Sequence, residues 1–84
     1  MIHELKTWEE YFEPLASGEK NFELRKNDRG FQPGHQLLLR EYSRHTHRYS
    51  GRTLHKKISY ILGGPEAENF GLKPGYCILG LGDV

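Results

Sequence analysis

The hydrophobic period changes once along this chain, and the change divides it into one helix followed by strands. Trp8, Tyr11, Phe12 and Leu15 fall at i, i+3, i+4 and i+7, a spacing that puts all four on one helical face. Thr7 with Glu10 three residues on is a capping-box pattern, Glu9 and Glu10 bring negative charge to the helix N-terminus, and Gly18 offers a stop. Pro14 has no N–H to donate, so the helix is expected to be short or kinked. Beyond Gly18 the pattern alternates. In Phe22-Glu23-Leu24-Arg25 the apolar pair points one way and the charged pair the other, which predicts Phe22 and Leu24 in the core with Glu23 and Arg25 outside it. A slip of one residue would exchange the two sets.

A short strand over 2–6 precedes the helix. Residues 36–43 read as a strand whose three consecutive leucines expect cover on both faces, and it forms a hairpin with 52–62, where Leu54, Ile58, Tyr60 and Leu62 share one parity. Residues 63–75, rich in Gly and Pro, read as an ordered surface loop, and 76–82 as the last strand. One short N-terminal amphipathic helix and about five strands predict a mainly β (α+β) fold, a small pseudo-barrel with the helix over one opening. Its expected core is Phe22, Leu24, Leu37, Leu39, Ile58, Ile78 and the helix face. Eighty-four residues make one domain, 1–84, near the lower limit for a single core, and ten aromatics supply much of the buried area.

The single Cys77 excludes an internal disulfide, and its apolar neighbours Tyr76 and Ile78 fit a buried, inert thiol. No charged segment followed by a long apolar run opens the chain, and no apolar run approaches the roughly 20 residues of a membrane span. A cytoplasmic protein with no membrane partner is expected. Nothing in the sequence demands a second copy.

Net charge is +1, but residues 40–57 hold six Lys/Arg against Glu41 alone. Arg44, Arg48, Arg52, Lys56 and Lys57 alternate with Tyr42, Tyr49 and three histidines. Arginine neutralises phosphate and tyrosine stacks on unpaired bases, so Arg44, Arg48, Tyr49, Arg52, Lys56 and Lys57 are candidate nucleic-acid-binding residues. The competing reading is a solvated hairpin. His45 and His47 supply at most two ligands at i and i+2, too few for a metal site, and no cofactor motif is present. The Gly63-Gly64 pair lacks the Lys-Ser/Thr of a phosphate loop.

Lys20, Glu23, Arg25 and Lys26 concentrate charge in and around the strand after the helix, and form the candidate ligand-binding set. An ammonium and a guanidinium facing one carboxylate orient the guanidinium toward a phosphate or a base edge. The competing reading is a surface ion pair worth about 0 to 1 kcal/mol.

Gly18, Lys20, Glu23 and Arg25 together spell Gly-x-Lys-x-x-Glu-x-Arg, and the chain thereby resembles the ASCH domain family. The segments IHELKT, FELRKNDRGF, LLLREY and LKPGYCILGL are similar to a short bacterial and phage branch of it. The resemblance implies a fold similar to the PUA domain and a cleft lined by the motif residues, with RNA or a modified nucleoside as the partner. Another branch of similar proteins deacylates N4-acetylcytidine with a Lys, a Thr and a Glu. Lys20 matches that lysine, whereas Glu23 stands at the threonine position and the catalytic Glu has no match. If the chain is an amidohydrolase, Lys20, by that match, and Glu23, by its position, are the catalytic candidates. Glu66 and Glu68, in the loop over 63–75, are the carboxylates that could supply the missing acid if that loop covers the cleft.

Overall fold

A computed structural model describes all 84 residues. Along the chain run β1 (Ile2–Trp8), α1 (Glu9–Ser17), β2 (Phe22–Lys26), β3 (Gln36–Ser43), β4 (Arg48–Gly63), α2 (Pro65–Asn69) and β5 (Tyr76–Asp83). The five strands make one sheet in the order β1-β3-β4-β5-β2. β1 pairs with β3 in parallel, and every other pairing is antiparallel. A parallel pair needs a crossover connection. Here the crossover carries α1 and then β2, which the chain lays on the far edge of the sheet.

The sheet curls until its two edges approach. Arg25 on β2 donates from Nη2 to the backbone oxygen of Lys6 on β1, 2.8 Å away. The mainly β pseudo-barrel expected from the sequence is the fold, with a seam between β1 and β2 that no backbone ladder closes. Inside it Leu5, Leu15, Phe31, Leu37, Leu39, Ile58, Cys77 and Leu79 form the core. Leu37 and Leu39 point inward and Leu38 is half-buried outside, the two-sided cover expected of three leucines. α1 closes one opening with Phe12 and Leu15, each worth about 1.5–3 kcal/mol of apolar burial.

Four local expectations are overturned. β2 presents the opposite face: Glu23 is 7 % exposed, while Phe22 and Leu24 are 46 % and 57 % exposed. The cause is pairing with β5, where Glu23 lies opposite Leu79 and Arg25 opposite Cys77. Cys77 and Leu79 fill the core, so their partners turn inward too, and Ile78, opposite Leu24, is half-buried on the outer face instead of in the core. In β4 a bulge between Ile58 and Tyr60 breaks the shared parity, so that Ile58 is buried while Tyr60 and Leu62 face outward. An inserted residue flips every side chain after it.

The start of α1 also differs. Thr7 extends β1, whose buried residues are His3, Leu5 and Thr7, and the helix opens at Glu9 with no side-chain cap. Part of the expected loop over 63–75 is helical: Pro65 opens α2, where its missing N–H does no harm, and Ala67 is buried beneath it.

Candidate ligand-binding cleft

The open seam is a cleft of about 820 Å³ between β1, β2 and the start of α1. Its position follows from local sequence. Gly18 ends α1 in a left-handed conformation (φ 85°), and the Lys20 N–H donates to Pro14 O at 3.0 Å, which folds the chain back under the helix. Lys20 therefore points between two rings, its Nζ 4.9 Å from the centre of Tyr11 and 5.1 Å from that of Phe22. From there it donates to Glu23 Oε1 at 2.9 Å. The other carboxylate oxygen faces Arg25 Nε at 3.9 Å.

This set is enclosed, with side chains only 18 %, 9 % and 24 % exposed for Lys20, Glu23 and Arg25. Ion pairs of this kind are fixed, unlike the flexible pairs of a solvated surface. The helical stripe read from the sequence divides here. Phe12 and Leu15 enter the core, whereas Trp8 and Tyr11, half-exposed with near-parallel rings 6.3 Å apart, line the cleft. Phe22 and Tyr76 add further aromatic wall.

Two buried polar atoms of cleft-lining residues lack a partner, the hydroxyl of Thr7 and Nη1 of Arg25. An unpaired buried group costs about 1–3 kcal/mol. The lining holds five cations, Lys6, Lys20, Arg25, Lys26 and Arg29, against Glu23 and Asp28, a net +3 in a chain of net +1. Near its base His3 shares a hydrogen bond with His35 (3.0 Å) and packs edge-on against Phe31. Burial first, then the charges of His35, Arg29 and the N-terminal amine, push the His3 imidazole below its ordinary value.

All four candidates from the strand, Lys20, Glu23, Arg25 and Lys26, line this one cleft. The hairpin set does not. Arg44 pairs with Glu10 and stacks 4.1 Å over Trp8, so it only borders the cleft. Arg52 pairs with Glu13 and Glu41 and covers the Phe12 ring at 4.7 Å, and the Glu13 hydrogen bond raises its already high pKa. Arg40 pairs with Glu4 and stacks on Tyr49, and Lys56 meets Asp83 at 3.3 Å. These cations tie α1 and the neighbouring strands together. Arg48 and Lys57 form no ion pair.

His47 adopts a left-handed conformation in the β3–β4 turn, 3.5 Å from the Tyr42 hydroxyl, and His45 is exposed in the same turn. Glu66 and Glu68 stay away from the cleft, and Glu68 lines a smaller pocket beside Gly63 and Cys77. Burial pushes the Cys77 thiol up against the opposing effect of Arg25, which leaves it a neutral packing group. Thr7, Trp8, Tyr11 and Arg29 were not legible as cleft residues. The alternation His3, Leu5, Thr7 was the one available signal, and the capping-box pattern concealed it.

With that geometry in view, the chain belongs to the family described as "Domain of unknown function (DUF3850)", whose profile it matches over residues 2–81. It is also 34 % identical over 60 residues to the "Uncharacterized 12.9 kDa protein in GpA 3'region" of Escherichia phage P2. That match covers 71 % of this chain and 53 % of the phage protein, so the chain spans about half the length of the curated relative it matches. No helix is long and apolar enough to cross a membrane.

Proposed function

We propose that the chain is an ASCH-type, PUA-like binding module that takes RNA or a nucleobase-containing ligand in the cleft between β1 and β2. One observation carries the reading: Lys20, Glu23 and Arg25 converge in a single enclosed cleft of net positive charge with aromatic walls. Cations match phosphates, and aromatic rings accept the face of any base. A cleft of this size exceeds a single nucleoside and admits a short stretch of single strand. The direct test is a thermal-stability screen against modified nucleosides and short RNAs in low salt, since whatever binds only the folded state raises the melting temperature. Stabilisation that fades with salt supports the reading, and a broad panel without any shift ends it.

A second reading, amidohydrolysis of an N4-acylated cytidine, has one observation in its favour. Thr7 lines the same cleft as Lys20 and Glu23, so a Thr, a Lys and a Glu border one cleft although the linear motif has lost its threonine. Against it, the Lys20 ammonium is already engaged by Glu23 at 2.9 Å and is not free to act as base or nucleophile. We expect no appreciable release of cytidine from N4-acetylcytidine by chromatography. Robust turnover abolished in Lys20→Ala would establish the enzyme instead.

A further inference from the structure

Two buried polar atoms of cleft-lining residues are unpartnered, and each can donate a hydrogen bond. Arg25 directs Nε toward Glu23 Oε2 at 3.9 Å and Nη2 to Lys6 O at 2.8 Å, and keeps Nη1 buried without a partner. Thr7 follows Lys6 in β1 and turns inward, only 3 % exposed, its hydroxyl equally unpartnered. The guanidinium that reaches the Lys6 carbonyl and the hydroxyl of the next residue thus lie on the inner side of the same seam. Both are able to donate, and the hydroxyl can accept as well. The one acceptor side chain among the motif residues, Glu23, has both oxygens turned to cations.

A base edge presents donors as well as acceptors, and its N–H groups would find no acceptor on the Arg25 guanidinium. A phosphoryl group presents acceptors alone and carries the charge that a cleft of net +3 favours. Resting on the cleft reading proposed above, we infer that Thr7 and Arg25 form an oxyanion subsite that takes a phosphate of a nucleotide ligand. The base then lies outward beside Trp8 and Tyr11, which line the same cleft and are half-exposed. Binding is phosphate-first: the phosphate supplies the partner that Nη1 and the hydroxyl lack, and it bridges the two sheet edges that Arg25 now straps together.

The experiment is calorimetric titration in low salt with cytidine, cytidine 5′-monophosphate, the dinucleotide CpC and inorganic phosphate, repeated with the adenosine, guanosine and uridine nucleosides and 5′-monophosphates. The wild type should prefer at least one nucleotide over its nucleoside by about ten-fold or more. CpC separates an internal phosphodiester from a terminal phosphate, and binding of either supports the subsite. Thr7→Val, which keeps the shape and removes the hydroxyl, should weaken that nucleotide about five- to ten-fold while leaving the nucleoside unchanged. The same variant should melt higher than the wild type without ligand, because it removes a buried hydroxyl that nothing satisfies. Arg25→Lys, which keeps the charge but not the fork, should lose the same preference. Equal affinity for nucleoside and nucleotide, or a Thr7→Val protein that melts lower and keeps the wild-type preference, overturns the subsite and leaves the cleft reading standing. No binding by any nucleoside, nucleotide or RNA overturns both.

Discussion

Glu23 is buried between exposed neighbours, and its surroundings explain why that inversion is tolerated. The carboxylate has Lys20 at 2.9 Å and Arg25 at 3.9 Å, so its removal leaves two enclosed cations without their counter-ion. We expect Glu23→Ala to cost about 2–4 kcal/mol in a urea titration, close to the range for breaking a buried pair. Leu24→Ala, by contrast, truncates a side chain that is 57 % exposed and should change stability by under about 1 kcal/mol. The order of these two effects tests the inverted face of β2 directly. If Leu24→Ala proves the more damaging, the strand has the register that its alternation first predicted.

At the scale of elements, α1 and β1 are held by different means. α1 is anchored by Phe12 and Leu15 beneath it and by Arg52 over Phe12, so Phe12→Ala should cost about 3–5 kcal/mol and loosen the cleft wall that Tyr11 forms. β1 is tied at its start through His3, which meets His35 ahead of β3 and packs on Phe31. Because the folded chain holds His3 below its ordinary value of 6.5, the unfolded chain binds more protons in the window just beneath that value. Stability from this group is therefore present above pH 6.5 and is lost as pH falls through that window. Urea midpoints measured from pH 8 to pH 5 should decline on the acid side, and His3→Leu should flatten the decline. An unchanged profile in the variant would assign the acid sensitivity to other groups.

For the molecule as a whole, the placement of charge matters more than its total. The segment over 40–57 carries the chain's basic excess, yet Arg40, Arg44, Arg52 and Lys56 each meet an acidic side chain, and the net positive field gathers in the cleft. If short RNA binds there, replacing Lys26 and Arg29 by Ala should reduce the slope of log K against log salt by about 0.7 for each phosphate that is no longer neutralised. The pair Arg48→Ala and Lys57→Ala, on the hairpin and outside the cleft, should leave that slope nearly unchanged. The reverse pattern would return the nucleic-acid surface to the hairpin and detach it from the motif.

The helix, the strands, the β3–β4 hairpin and the motif spacing were all legible in the chain, because periodicity, Gly18 as a helix stop and the tight connection to Lys20 are properties of neighbouring residues. Cys77 as a buried thiol and the two-sided cover of residues 37–39 were legible for the same reason, since apolar runs announce burial. The facing of β2 was not, because alternation specifies two faces without saying which is inside. Its pairing with Cys77 and Leu79 decided that. Nor could local pattern locate the bulge after Ile58, the use of Thr7 as a strand residue, or the diversion of the hairpin arginines into ion pairs with Glu4, Glu10, Glu13 and Glu41. Each depends on groups brought together from distant parts of the chain, and so does the cleft, which exists only because a crossover sends β1 and β2 to opposite edges of a sheet that curls back on itself.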